Sequence, residues 1–240
     1  MQPPTDGVYR VKVYLSNGLR TIYELKYPRT PETPIAIFLT GNSGHVSDPF
    51  THHLRKFFLD RGFGWFCYDH LGRGASMDIT EGIPMTEILL SQLAQQAKEM
   101  VQNVLWPKLQ EKFKTKGQKF PIFFGGTSLG GNVASLALRD QIFQGYFDIK
   151  GVALFVPSTD RRNVIIEKFL TATQRDLLME PNGVLDFEYT PGGFVKLTHR
   201  YVKDCLESSG FCGKWDKGLL DIDFPFRILA GGKDEIAPLY

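Results

Sequence analysis

No stretch of this 240-residue sequence is apolar for the roughly 20 residues that a membrane helix needs, so a membrane span is not expected. The opening residues, MQPPTDGVYR, lack the basic-then-apolar order of a secretory signal. Cysteine is scarce. Cys67, Cys205 and Cys212 make no metal-ligand spacing and leave an odd thiol, which favours a reducing, cytoplasmic location. Charge of one sign is lacking too: the formal net charge is +2, and Lys and Arg are scattered along the chain. Nucleic acid is therefore not an expected partner. The densest basic stretch, Lys108 to Lys119, is broken by Glu111 and reads as a helix end and loop. Repeats and low-complexity tracts do not occur.

What is present is an ordinary globular composition, 42% hydrophobic and 22% charged, long enough for one large α/β domain. VYRVKVYLSNGLRTIYELKY alternates apolar and polar residues around Asn17-Gly18, a hairpin signal. PIAIFLTG and FGWFCYD are short continuous apolar runs, as in strands covered on both faces. Asp48 can cap a helix that carries Phe50, Leu54, Phe57 and Phe58 on one stripe. From Leu89 to Val104 apolar residues recur at helical spacing, and Trp106-Pro107 is expected to end that helix. A strand PIFFGG, a helix from Ser128 to about Phe143 and a strand KGVALFVP follow. The alternation predicts a mostly parallel α/β sheet with an N-terminal antiparallel hairpin. The expected division is a core over 1–157, an inserted cap over 158–223 and the core resumed over 224–240. The cap is expected to hold two helical pieces, about Arg161 to Leu178 and Val195 to Ser208, separated by EPNGVLDFEYTPGG.

The chemistry-bearing stretch is FPIFFGGTSLGGNVASLAL, in which Gly126-Thr127-Ser128-Leu129-Gly130 matches G-x-S-x-G. Between a buried strand and a helix, that pattern can form a nucleophile elbow. The serine occupies a strained turn, and the flanking glycines let strand and helix backbones approach without Cβ clashes. The hydroxyl then stands at the carboxyl edge of the sheet, beside the positive end of the helix dipole.

A serine hydroxyl needs oxyanion donors, a base and a group that orients the base. The loop in FLTGNSGH is the candidate for one backbone N–H, and Leu129, the residue after the nucleophile, for the other. Asp234, just beyond the last expected strand, fits the chain order Ser…Asp; Asp69, Asp221 and Asp223 compete from earlier positions. The base is the difficulty, because no histidine follows Asp234. His52 and His53 fall in the first crossover helix and His70 in the loop after the fourth strand, all read as structural. His45, in the presumed oxyanion loop, and His199, in the presumed cap, are candidate substrate contacts and weaker candidates for a relocated base.

FLTGNSGHVSD, FFLDRGFGWFCYDHLGRGAS, FFGGTSLGGNVASLAL and ILAGGKDEIAP together resemble the α/β-hydrolase superfamily. The likeness is to its monoacylglycerol-lipase-like and lysophospholipase-like serine hydrolases, a serine aminopeptidase-type domain, and it runs almost the whole chain in the family's order. The resemblance implies Ser128 as nucleophile, Asp234 as triad acid, and backbone N–H groups of Asn42 and Leu129 as oxyanion hole. Asp69, Gly72, Gly74 and Ser76 would shape a glycine-rich loop without performing chemistry. Thr40 stands where the family usually has His. The family carries its catalytic His one strand after the acid, followed by a final helix, so the resemblance implies a member truncated before both. An unpaired sheet edge and an uncovered apolar face are then expected.

The expected function is cleavage of a carboxylic ester or thioester of an acyl chain, through an acyl-enzyme at Ser128 and with neither metal nor cofactor. Phe155, Ile165, Phe169, Leu170, Phe187 and Phe194 would suit an apolar acyl portion. The alternatives are a hydrolase-fold binding protein without its base, and an acyltransferase or thioesterase.

Overall fold

A computed structural model describes residues 7–42, 44–74, 88–157, 170–190, 193–207 and 224–229. The N-terminal hairpin pairs β1 (Tyr9–Tyr14) with β2 (Arg20–Lys26) in antiparallel register, Tyr9 opposite Leu25 and Tyr14 opposite Arg20. Its turn closes where the Leu15 N–H donates to the Leu19 carbonyl at 2.8 Å, with Gly18 at φ 79°. Only glycine adopts that φ without strain.

The central strands are β3 (Ile35–Leu39), β4 (Gly64–Tyr68), β5 (Phe120–Thr127) and β6 (Phe147–Phe155). Among the described residues they form, with β1, β2 and β9 (Phe226–Leu229), a seven-stranded sheet of order β1-β2-β4-β3-β5-β6-β9. Pairing is parallel from β4 onward through β3, β5, β6 and β9. Every residue of β3 and β4 is buried, because helices cover both faces of these strands.

The strand period of two divides the core. Ile35, Ile37, Leu39, Phe66 and Tyr68 point into the main cluster. There they meet Leu93, Ala97 and Met100 of one long helical run and Val133 and Leu136 of another. Ala36, Phe38, Trp65 and Cys67 point to the other face, against Leu54, Phe58 and Leu59 of α1 (Pro49–Asp60). Asp48 caps α1 as expected, its carboxylate accepting the Thr51 N–H at 2.7 Å. The expected apolar stripe is only half covered: Phe50 is 43% and Phe57 47% exposed. Beside them an apolar groove of about 440 Å³ opens between α1 and the strands, lined among others by Phe38, Phe57, Phe58, Phe123, Val152 and Arg227. Beyond it lies β9, the last strand of the sheet among the described residues, with Ile228 and Leu229 each 49% exposed.

Two helical expectations need correction. Trp106-Pro107 does not end the long helix: α2 (Leu90–Glu99) passes through a π-helical turn (Met100–Leu105) into α3 (Trp106–Phe113). Proline has no N–H to donate, and the change of winding puts Pro107 in the first turn of α3, where that donor is not required. The following helix is α4 (Leu129–Arg139).

The second correction lies in the segment between β6 and β9. It contains α5 (Ala172–Met179), the antiparallel pair β7 (Val184–Thr190) and β8 (Gly193–Thr198), and α6 (His199–Glu207). A hairpin thus stands where a spacer and the start of a helix were expected. Its cause is visible in VLDFEYT, where Leu185 and Phe187 alternate with Asp186 and Glu188 at the strand period. Leu185 and Phe187 pack against Leu170, Leu178, Leu197, Tyr201 and Val202, a small core of its own. Of the other residues expected to suit an acyl chain, Ile165 and Phe169 fall outside the described residues, as does the side chain of Phe194.

Candidate active site

Ser128 lies between the end of β5 and the first residue of α4, with φ 49° and ψ −117°. A β-carbon disfavours this left-handed backbone by about 1–3 kcal/mol, so its surroundings must hold it. They do so from both sides. The Ser128 N–H donates to the Phe155 carbonyl of β6 at 3.0 Å, and the Ser128 carbonyl accepts from the Asn132 N–H at 3.2 Å. No hydrogen bond engages the Ser128 hydroxyl among the described residues, and the residue is partly exposed.

The glycines around it are explained by close approach. A β-carbon on Gly126 would strike the Gly130 carbonyl, and one on Gly130 would strike the carbonyls of Leu39 and Thr40 at the end of β3. One on Gly125 would lie 2.5 Å from the Ala153 carbonyl of β6, and one on Gly131 2.7 Å from the Pro157 ring. Two glycines therefore let the strand and helix cross, and two let neighbouring backbone close on the crossing.

The loop after β3 reaches the serine from the other side. The Cβ position of Gly41 is 3.5 Å from the Ser128 Cβ. Leu129 is the first residue of α4, so its N–H has no acceptor within the helix and stands at the positive end of the dipole. Asn42, the next residue of the loop, has its side chain held. Its amide oxygen accepts from Arg73 Nε at 3.1 Å and Arg73 Nη2 at 2.9 Å.

Arg73 also donates through Nη1 to the Leu71 carbonyl at 2.9 Å and is only 2% exposed. Nothing in the sequence pattern singled it out; its one signal is an arginine set between Gly72 and Gly74, which take φ 68° and 56°. Asp69, buried at the end of β4, accepts the Val46 N–H at 2.7 Å and ties the same two loops together. That is the backbone-shaping part expected of it. Ser76, Asp221, Asp223 and Asp234 lie outside the described residues.

The histidines divide clearly. His45 Nδ1 accepts the Ser47 N–H at 3.1 Å, so in the neutral ring Nε2 carries the proton. Such a ring can donate to a ligand but cannot take a proton at Nε2. His199 is tied to α5, Nδ1 lying 2.9 Å from the Leu178 carbonyl, and makes no hydrogen bond with Ser128. His52 Nδ1 lies 2.9 Å from Arg55 Nη2, and His52 and His53 are both exposed. His70 is fully buried beside Tyr68, and among the described residues neither ring nitrogen has a hydrogen-bond partner. Burial pushes its pKa down to about 3, helped by the Arg73 guanidinium. The nearby Gln96 side chain and Thr40 backbone oppose that shift only in part. His70 is thus a neutral packing residue.

Neither a family model nor a curated protein matches the sequence. Solved structures do. A protein from Agrobacterium vitis S4 described as a hydrolase superposes with a TM-score of 0.70 at 20% identity, over 96% of this chain and 81% of its own. The chain has the α/β-hydrolase fold. Mouse alpha/beta hydrolase domain-containing protein 10 shares this hydrolase fold with a TM-score of 0.68 at 17% identity, over 96% of this chain and 80% of that one. Est1E from Butyrivibrio proteoclasticus, solved with ferulic acid bound, gives 0.63 at 16% identity, over 95% of this chain and 81% of its own. No helix among the described residues is long and apolar enough to cross a membrane.

Proposed function

We propose that the chain is built as a serine hydrolase acting on a carboxylic ester or thioester of an acyl chain. The observation that carries this reading is Ser128 itself, held at φ 49° between β5 and α4 with its hydroxyl unbonded among the described residues. In the proposed reaction the Ser128 oxygen attacks the acyl carbonyl carbon while its proton passes to a base. The N–H groups of Asn42 and Leu129 stabilise the charge that develops on the carbonyl oxygen. The carbon–oxygen or carbon–sulfur bond then breaks, the base returns the proton to the leaving group, and water attacks the acyl-enzyme to release the acid. Asp234 would orient that base. His45, with its Nε2 proton, is suited to donate to a substrate or leaving group, whereas His199 is held to α5.

The esterases among the structural neighbours support an ester as the first substrate class to assay. A second reading is also favoured by an observation: no described histidine is placed as base to Ser128, as expected of a hydrolase-fold binding protein. A fluorophosphonate probe separates the two. Covalent labelling of the wild type and none of Ser128→Ala supports an activated serine. A folded wild type that resists labelling sinks the hydrolase reading and leaves the binding protein.

A further inference from the structure

We propose that Arg73 is the positioning residue of the oxyanion hole, acting through the side chain of Asn42. The inference rests on the serine-hydrolase reading of Ser128 and deepens it. An oxyanion donor works only if its N–H is aimed before the charge appears, since reorientation during the reaction forfeits the gain. Leu129 is aimed by the helix it begins. Asn42 has no such support from secondary structure: it lies on a loop beyond β3, and what holds it is its own amide oxygen. Both acceptor directions of that oxygen are taken by one guanidinium, at 3.1 and 2.9 Å. The third anchor of the same group is the Leu71 carbonyl at 2.9 Å. A planar fork gripped at three points cannot swing, and Asn42 therefore cannot swing either.

The position of Arg73 makes this more than loop packing. Arg73 and Leu129 line the same narrow crevice, together with Leu93 of α2 and Tyr201 and Cys205 of α6. One residue thus grips the Asn42 loop and borders a crevice shared with Leu129, the two places that carry the proposed oxyanion donors. Burying a guanidinium is costly unless its donors are satisfied, and here two of its donors are spent on a single neutral amide rather than on the more abundant backbone carbonyls. Lysine could not do the same, because its ammonium is a point donor without the fork.

The test is a double-mutant cycle read on Ser128 reactivity. Arg73→Lys and Asn42→Ala are each expected to slow fluorophosphonate labelling by roughly tenfold to a hundredfold, the scale of a lost or misaimed oxyanion donor. With an ester substrate the loss should fall on kcat and leave KM within about twofold, because the donor acts on the transition state. The double variant should be no slower than the worse single one, since each breaks the same contact. Arg73→Met, if it folds, should resemble Arg73→Lys; if it does not fold, the lysine variant carries the cycle alone. Three outcomes overturn the proposal: singles that label at the wild-type rate, losses that fall on KM, or losses that multiply in the double variant. A wild type that does not label removes the serine-hydrolase reading and this proposal with it, whereas an unaffected cycle in a reactive wild type removes this proposal alone.

Discussion

At the carboxyl ends of β3 and β5 the backbones meet so closely that Gly126 and Gly130 leave no room for one added carbon. On the α1 face of the same strands an apolar groove of about 440 Å³ stands open, with Phe57 47% exposed at its side. The two regions share strands and differ in what constrains them. Around Ser128 each backbone position is held by a neighbour, and Asp69 and Arg73 bind one loop to the next. Along the groove, rings such as Phe57, Phe58 and Phe123 pack on one another yet border open space. A sheet can therefore be specified to the ångström where it presents a nucleophile and stay loose a few residues away, because backbone interlock and side-chain packing are separate constraints.

The largest effect expected at the packed end comes from acid. His70 stays neutral in the folded chain down to about pH 3, whereas an unfolded histidine takes up a proton near pH 6.5. Folded stability from this group is thus complete above about pH 6.5 and drains away as pH falls towards 3, by on the order of 5 kcal/mol in total. Urea midpoints followed across that range should fall more steeply for the wild type than for His70→Phe. Parallel curves would mean that His70 is protonated in the fold.

Next in size is a like-for-like change on the two flanks. Gly130→Ala drives a β-carbon into the carbonyls of Leu39 and Thr40 and should cost about 3 kcal/mol. Gly151→Ala, on the groove side, meets the Phe123 ring at 3.3 Å, and that ring borders open space. It should change stability by less than about 1 kcal/mol. Equal losses in denaturant titration would erase the distinction between the two flanks.

The smallest effect belongs to the groove itself. Phe57→Lys should shift stability by no more than about 0.5 kcal/mol, yet lower the fluorescence of a dye that binds exposed apolar surface. Unchanged dye binding in the lysine variant would place the dye elsewhere.

Where local chemistry decides, the fold was legible from sequence. Asn17-Gly18 announced its hairpin, Asp48 its helix cap, and GGTSLGG its turn, since each signal lies within a few residues of its consequence. The continuous runs in β3 and β4 pointed equally well to strands covered on both faces. Pro107 does not end the run, because a π-helical turn before it sets it in the first turn of α3. The β7–β8 hairpin is signalled only by the period of Leu185 and Phe187, in a stretch whose Pro and Gly residues read equally well as a spacer. Arg73 and Asn42 are 31 residues apart, and no pattern along a chain records that two loops will meet. The half-exposed Phe50 and Phe57 show the same limit: a stripe on a helix says which side is apolar, not how much of it will be covered.

The backbone of Ser128 has one more consequence. At φ 49° the position would suit glycine better than any residue with a side chain. The hydroxyl therefore stands where the fold gains nothing from it, and the interlocked glycines, the Phe155 carbonyl and the Asn132 N–H act as a vice that keeps an ill-fitting residue in place. Reactivity and comfort are opposed at this one residue, and the structure has settled on the less comfortable choice.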